Sequence, residues 1–327
     1  MKKNAKATII VLSLIVFIVC IYIDIFCGNI NINIQDFLRL LNGKDTFATE
    51  ILAIIRIPKV IKAIIAGSCL AVSGMFLQTI TKNPLVEPYL TGVSSGAGLA
   101  FVTCIALNVN TSYISLFATL GALLVSLLVI FLAGINKFSL IKLILFGLSI
   151  NIFASSLISA IILFNPQKTH SMMTILTGNT GGSFVNLKLI LILFTCTILI
   201  SFLMVPRLNF MILDDTIIKA INSNVGLYFI IIIILSSVLA SLSVASAGIL
   251  GFIGIIIPHL SRILIGQDFK WLFILNILLG SSIILISDFI SRWAIYPSEI
   301  PLGVVVSIIG APIFVGFLIF RGDKLYA

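Results

Sequence analysis

Eight stretches of this chain, each 17 residues or longer, contain no Asp, Glu, Lys or Arg. They are Ala7–Ile23, Ala63–Thr81, Pro88–Asn136, Leu143–Gln167, Leu189–Pro206, Ala220–Ser261, Trp271–Ser287 and Ile300–Phe320. About 20 apolar residues cross a bilayer as one helix, and a helix satisfies its own backbone where lipid offers no partner. Pro88–Asn136 and Ala220–Ser261, at 49 and 42 residues, are each long enough for two crossings. Breaks are expected near Asn108–Ser112 and Gly248–Gly254. The expectation is an all-α integral membrane protein of about ten transmembrane helices, forming a single transmembrane domain over residues 1–327.

Composition agrees. Of 327 residues, 60% are hydrophobic and 9% are charged, whereas a soluble domain carries about 25% charged residues. The net charge of +9 does not call for nucleic acid. In a membrane protein, excess Lys and Arg gathers in cytoplasmic loops. With ten crossings both termini share a side, and the segments on that side hold 12 of the 20 Lys and Arg. That bias places both termini in the cytoplasm. The N-terminal MKKNAKATIIVLSLIVF looks like a signal peptide but no small-residue cleavage site follows, so it reads as a retained first span. Ala63, Ala66, Gly67, Ala71 and Gly74 in the second span, and Ser236, Ser237, Ala240, Ser241, Ala245 and Gly248 in the seventh, recur at helical spacing. Small residues let helix backbones approach closely, so both helices are expected inside the bundle.

Several chemistries find no residues to carry them. No GxxxxGK[ST] phosphate loop occurs, and Gly178–Ser183 is glycine-rich without a following Lys. The chain is therefore not expected to be an enzyme that hydrolyses ATP. His170 and His259 stand alone, and the five cysteines are scattered with no CxxC pair. No metal site, catalytic residue or cofactor is expected. Asp24 and Asp288 fall near span ends rather than at mid-span. An ion-coupled secondary transporter, the alternative reading, would place ionisable groups at the membrane centre.

Three segments carry more information: 56-RIPKVIKAIIAGSCLAVSGMFLQTITKNPLVEPYLTGVSSGAG-98, 248-GILGFIGIIIPHLSRILIGQDFKW-271 and 288-DFISRWAIYPSEIPLGVVVSIIGAPIF-314. Together they resemble the FecCD-type, type II permeases that import iron–siderophore complexes, haem and vitamin B12 with ATP-binding cassette ATPases. The family patterns are RxPR, Q….NPLaeP, GfiGLivPHixR and ELPvGv…G.P.F, and they occur here in order from Arg56 to Arg321.

The resemblance implies a permease subunit of the bacterial cytoplasmic membrane. Its implied partners are a second permease subunit in a homo- or heterodimer, two cassette ATPases, an extracytoplasmic substrate-binding protein and membrane lipid. The cargo would be an iron chelate, haem or a corrinoid. The family's docking arginines fall on Arg56, Lys59 and Arg292, where acidic residues of the binding protein would meet them. Lys59 keeps the charge of the usual arginine but not its bidentate geometry. Leu213, Ile217, Ile218, Ile221 and Val225 recur at helical spacing behind Asp214 and Asp215, which suit a helix N-terminus, and Gly226 is placed to end it. This segment, Lys219 included, matches the family's ATPase-coupling helix. A translocation gate is expected in the turn Lys137–Lys142, at Ser139, Leu140 and Ile141.

Overall fold

The computed structural model describes residues 3–28, 32–43, 46–135, 139–181, 187–211, 225–295 and 298–321. Among them the chain is helical and contains no strand. Helix α1 (Lys3–Phe26) is followed by the short helices α2 (Ile34–Leu41) and α3 (Phe47–Glu50). A π-helical turn, Ile51–Arg56, then leads into α4 (Ile57–Thr81). After a 3₁₀ turn at Pro88–Thr91 come α5 (Val93–Ala106), α6 (Thr111–Gly134), α7 (Leu140–Leu163), α8 (Thr169–Leu176) and α9 (Leu187–Met211). The last four are α10 (Val225–Ala247), α11 (Ile253–Ile265), α12 (Phe269–Trp293) and α13 (Leu302–Arg321).

Over its described residues each charge-free stretch is mostly helical, and both long stretches break where expected, before α6 and before α11. The crossings are unequal, however. Among the described residues, seven helical segments are long and apolar enough to cross a membrane, while Val93–Ala106, Ile253–Ile265 and Leu302–Gly316 are shorter apolar helices. The 14 residues of α5 and the 13 of α11 rise only about 20 Å. Each follows a non-helical segment whose sequence forbids continuation: Pro84, Pro88 and left-handed Gly92 (φ 82°) before α5, left-handed Gly248 (φ 76°) before α11.

Helix α4 runs through the centre. Of the most apolar 18 residues in the span Phe47–Thr81, 89% are buried, against 11% for those in Ile141–Leu163. Its small residues allow this. Gly67 abuts the backbone of Gly280 on α12, and Gly74 abuts Gly254 on α11, so closely that a Cβ on either would overlap main-chain atoms. Hydroxyls bridge the α4–α12 crossing and that of α4 with α10: Ser68 and Ser281 Oγ atoms lie 2.8 Å apart, and Ser73 Oγ donates to the Ser236 carbonyl on α10 at 2.7 Å. Such contacts hold membrane helices together where no hydrophobic drive exists between them. As expected from their small residues, α4 and α10 lie inside the bundle.

Two ends of the bundle are distinguished by their polar contacts. At one, Lys6 on α1 donates to Asp268 before α12 at 2.9 Å. At the other, the last turn of α1, the start of α4, residues 177–181, the last turn of α12 and the start of α13 meet. Helix α1 therefore begins at the Lys6 end and finishes at the second, from which α13 departs.

Candidate functional site

Arg56, Lys59 and Arg292 converge at the second end; Arg56 and Lys59 are buried, and Arg292 is partly buried, its side chain 11% exposed. Arg56 closes the π turn and donates through Nη1 to the carbonyl oxygens of Ile25 and Cys27, each at 2.8 Å. These are carbonyls left without helical partners where α1 ends. Lys59, one turn on, donates from Nζ to both carboxylate oxygens of Glu299 at 2.9 and 3.0 Å. Lys62, a further turn on, donates to the Thr180 carbonyl at 3.2 Å. The three cations are spaced three apart, which places them on one helix face.

Arg292 is held differently. Its Nε donates to Asp288 Oδ2 at 3.0 Å, one turn back on α12, and its Nη2 donates to the carboxylate and the carbonyl (3.1 Å) of Asp24 on α1. The Thr180 hydroxyl donates to the other oxygen of Asp288. Asp24 and Asp288 are buried. A charge in apolar surroundings is retained only with a partner of opposite sign, and Arg292 is that partner for both acids, although Asp24 Oδ2 accepts no hydrogen bond among the described residues. The docking cations expected from sequence are thus brought together, but each is turned inward in the isolated chain. Glu299 is the acid of the group nearest to solvent, its side chain 49% exposed.

Part of this network was readable in advance. Asp288 and Arg292 are an i,i+4 pair on a helix. Glu299 stands in the ELPvG-like segment, but nothing in that spacing points to Lys59. The pairing of Asp24 with Arg292 spans 268 positions, and Thr180 lies in a glycine-rich turn, so neither leaves a local signal.

A second polar cluster ties the break before α11 to the segment after α4. Gln78 Nε2 donates to the carbonyls of Gly254 (3.0 Å) and Ile255 (3.3 Å), and its Oε1 accepts from Arg262. The Glu87 carboxylate accepts from the Phe252 amide at 2.9 Å, and the Tyr89 hydroxyl accepts from the Leu250 amide at 3.0 Å. Phe252 adopts φ 68°, rare for a bulky residue, at the N-cap of α11. Glu87 therefore plays, from another segment, the part of the N3 Glu in a capping box, accepting from the N-cap amide. Gln78, Glu87 and Pro88 belong to the Q….NPLaeP-like segment, and the structure gives that motif this stitching role.

At the opposite end, Ser139 is extended (φ −139°, ψ 131°) and caps α7, Leu140 begins the helix, and Ile141 is 70% exposed. Leu213, Asp214, Asp215, Ile217, Ile218, Lys219 and Ile221 lie outside the described residues. Gly226, expected to end the coupling helix, is instead helical within the first turn of α10. With no Cβ contact nearby and a run of β-branched residues after it, nothing there requires a helix stop.

A family model described as the FecCD transport family matches residues 15–321. The Fe(3+)-citrate import system permease protein YfmD of Bacillus subtilis (strain 168) is 29% identical over 99% of this chain and 98% of its own length. An iron chelatin transport system permease protein of Helicobacter pylori (strain ATCC 700392 / 26695) is 34% identical over 82% of this chain and 81% of its own. A solved structure described as an inward-facing conformation of a metal-chelate type ABC transporter superposes with a TM-score of 0.83, at 27% identity, covering 97% of this chain and 99% of that one.

Proposed function

The chain belongs to the FecCD transport family, and on that premise we propose that it is the transmembrane permease of an ATP-binding cassette importer whose cargo is a ferric chelate or haem. It is a multi-pass protein of the bacterial cytoplasmic membrane. The observation that carries the proposal is the full-length likeness, in sequence and in fold, to permeases of iron-chelate importers. A corrinoid is a further cargo of the same chemical class, a bulky chelated metal.

The permease pairs with a second permease subunit around one path. Cargo arrives from an extracytoplasmic substrate-binding protein at the end that holds Arg56, Lys59 and Arg292. Two cassette ATPases engage the opposite end through Leu213–Gly226, and Ser139, Leu140 and Ile141 lie at the inner gate. The lack of a phosphate loop in the sequence supports placing ATP hydrolysis in the separate subunit.

The test is reconstitution. The permease, its ATPase and its binding protein are placed in liposomes, and uptake is followed with radiolabelled ferric citrate, a ferric siderophore, haem and cobalamin. We expect ATP-dependent uptake of one of the iron compounds and no ATP turnover by the permease alone. Uptake by the chain alone, driven by an ion gradient, would instead establish the ion-coupled carrier.

A further inference from the structure

We propose that α2 is an interfacial anchor, lying flat at the membrane surface with one stripe of side chains among lipid acyl chains and the opposite stripe in water. The placement rests on the geometry of α2 and of the membrane-spanning helices that flank it.

Helix α2 reads IQDFLRLL over Ile34–Leu41 and none of its residues is buried. At about 100° per residue, Ile34, Leu38 and Leu41 fall within about 60° of one another. They are 54%, 52% and 69% exposed. Phe37 and Leu40 occupy the adjoining arc and are half-buried. Phe37 packs edge-on against Phe26 at the end of α1, with ring centroids 6.2 Å apart, which fixes the rotation of the helix. Gln35, Asp36 and Arg39 fill the remaining arc. Asp36 accepts from Arg39 at 3.1 Å and from the Asn33 amide at 3.1 Å. The helix therefore has three faces: one on the protein, one apolar and open, one polar and open.

What covers the open apolar face follows from its neighbours. The same surface continues along α1, where Val11, Leu12, Ile15, Ile18, Val19 and Tyr22 are exposed on a helix that crosses the membrane. It continues on the far side through Phe47 and Ile54, both more than two-thirds exposed, as the chain enters the span Phe47–Thr81. A helix set between the ends of two spanning segments lies at the level where acyl chains meet headgroups. Interfacial helices sink their apolar face about 5–10 Å below that level. The single acid and single base of α2 are paired, so the helix carries no net charge for anionic headgroups to attract, and its attachment is hydrophobic.

Spin labels test this on the assembled complex in nanodiscs. Cys27 and Cys196, the cysteines outside the buried set, are first changed to Ser, and labels are placed at Leu38→Cys and Arg39→Cys. We expect oxygen to relax the Leu38 label more than a water-soluble nickel chelate does, by about fivefold, with the order reversed at Arg39. The pattern should be the same in phosphatidylcholine discs and in discs with a third phosphatidylglycerol. Equal nickel relaxation at both positions overturns the proposal by putting the helix in water. Dipolar broadening between Leu38 labels of two subunits overturns it by making a second copy the cover. Oxygen contrast present only in anionic discs overturns the hydrophobic mode of attachment.

Discussion

Arg292 on α12 and Asp24 on α1 form an ion pair inside the bundle, with Asp288 as a second acid on the same guanidinium. The pair joins the first helix to the twelfth, and both carboxylates are out of reach of water. Its energetic character follows from burial. Two acids close together are tolerated only while the cation stands between them.

Arg292→Gln should therefore destabilise the permease by about 3–5 kcal/mol, the usual cost of stripping one partner from a buried pair. The measurement is thermal unfolding of the purified complex in detergent. Arg292→Gln with Asp24→Asn should recover part of the loss, because one orphaned charge is removed. Unchanged unfolding of Arg292→Gln would show that the network is not in place. A drop in uptake by Arg292→Glu will thus arrive with a drop in folded protein, and is not by itself a measure of docking.

Lys59 is buried and its partner Glu299 is half-exposed. Changing either alone leaves the other unpaired, so the exchange of the two is the variant that keeps an ion pair in place. Lys59→Glu combined with Glu299→Lys should keep unfolding within about 1 kcal/mol of the original. The same exchange moves the outer charge from negative to positive, so titration of the swapped permease with binding protein should show altered affinity. Unaltered docking by a stable swapped protein would remove this pair from the docking surface.

Glu87→Ala should leave the Phe252 amide without an acceptor, at a cost of about 1–3 kcal/mol. Amide hydrogen exchange over residues 248–256 is the direct reading, and it should accelerate at least about fivefold, on the scale that a lost hydrogen bond implies. Glu87→Gln keeps an acceptor oxygen in the same place and should protect the segment almost as the carboxylate does. Identical exchange in Glu87→Ala would mean that the break is held without this residue.

Gly74→Leu should abolish folding, since even a Cβ there overlaps the Gly254 main chain. Gly134→Ala, where no atom lies within 4 Å of the added carbon, should change stability by less than about 0.5 kcal/mol. Membrane-inserted yield after detergent extraction separates the two, and equal yields would refute the close crossing of α4 and α11.

Ile218→Asp tests the coupling segment that precedes α10. A charge set into an apolar contact with the ATPase should cost a few kcal/mol. The permease should still insert but no longer co-purify with its ATPase. An intact, ATP-coupled complex carrying Ile218→Asp would move the coupling surface elsewhere.

How much was legible in the sequence differs sharply between levels. Lipid as solvent and the helical class came from charge-free length, because a bilayer admits no other local solution for an apolar backbone, and the break points from the polar and glycine residues at Asn108–Ser112 and Gly248–Gly254. The burial of α4 and α10 was also legible, since runs of Ala, Gly and Ser are useful only at close crossings. The ordered motifs carried the family. The tertiary structure decided what periodicity cannot express. That α5 and α11 are short depends on irregular segments stabilised from outside, by Gln78, Glu87 and Tyr89 for the second of them. That Arg56, Lys59 and Arg292 face inward depends on partners at positions 24, 25, 27, 288 and 299. A cation's surroundings are set by whatever acids and carbonyls the fold delivers to it, and of these only Asp288, one turn from Arg292, lies near its cation in the chain.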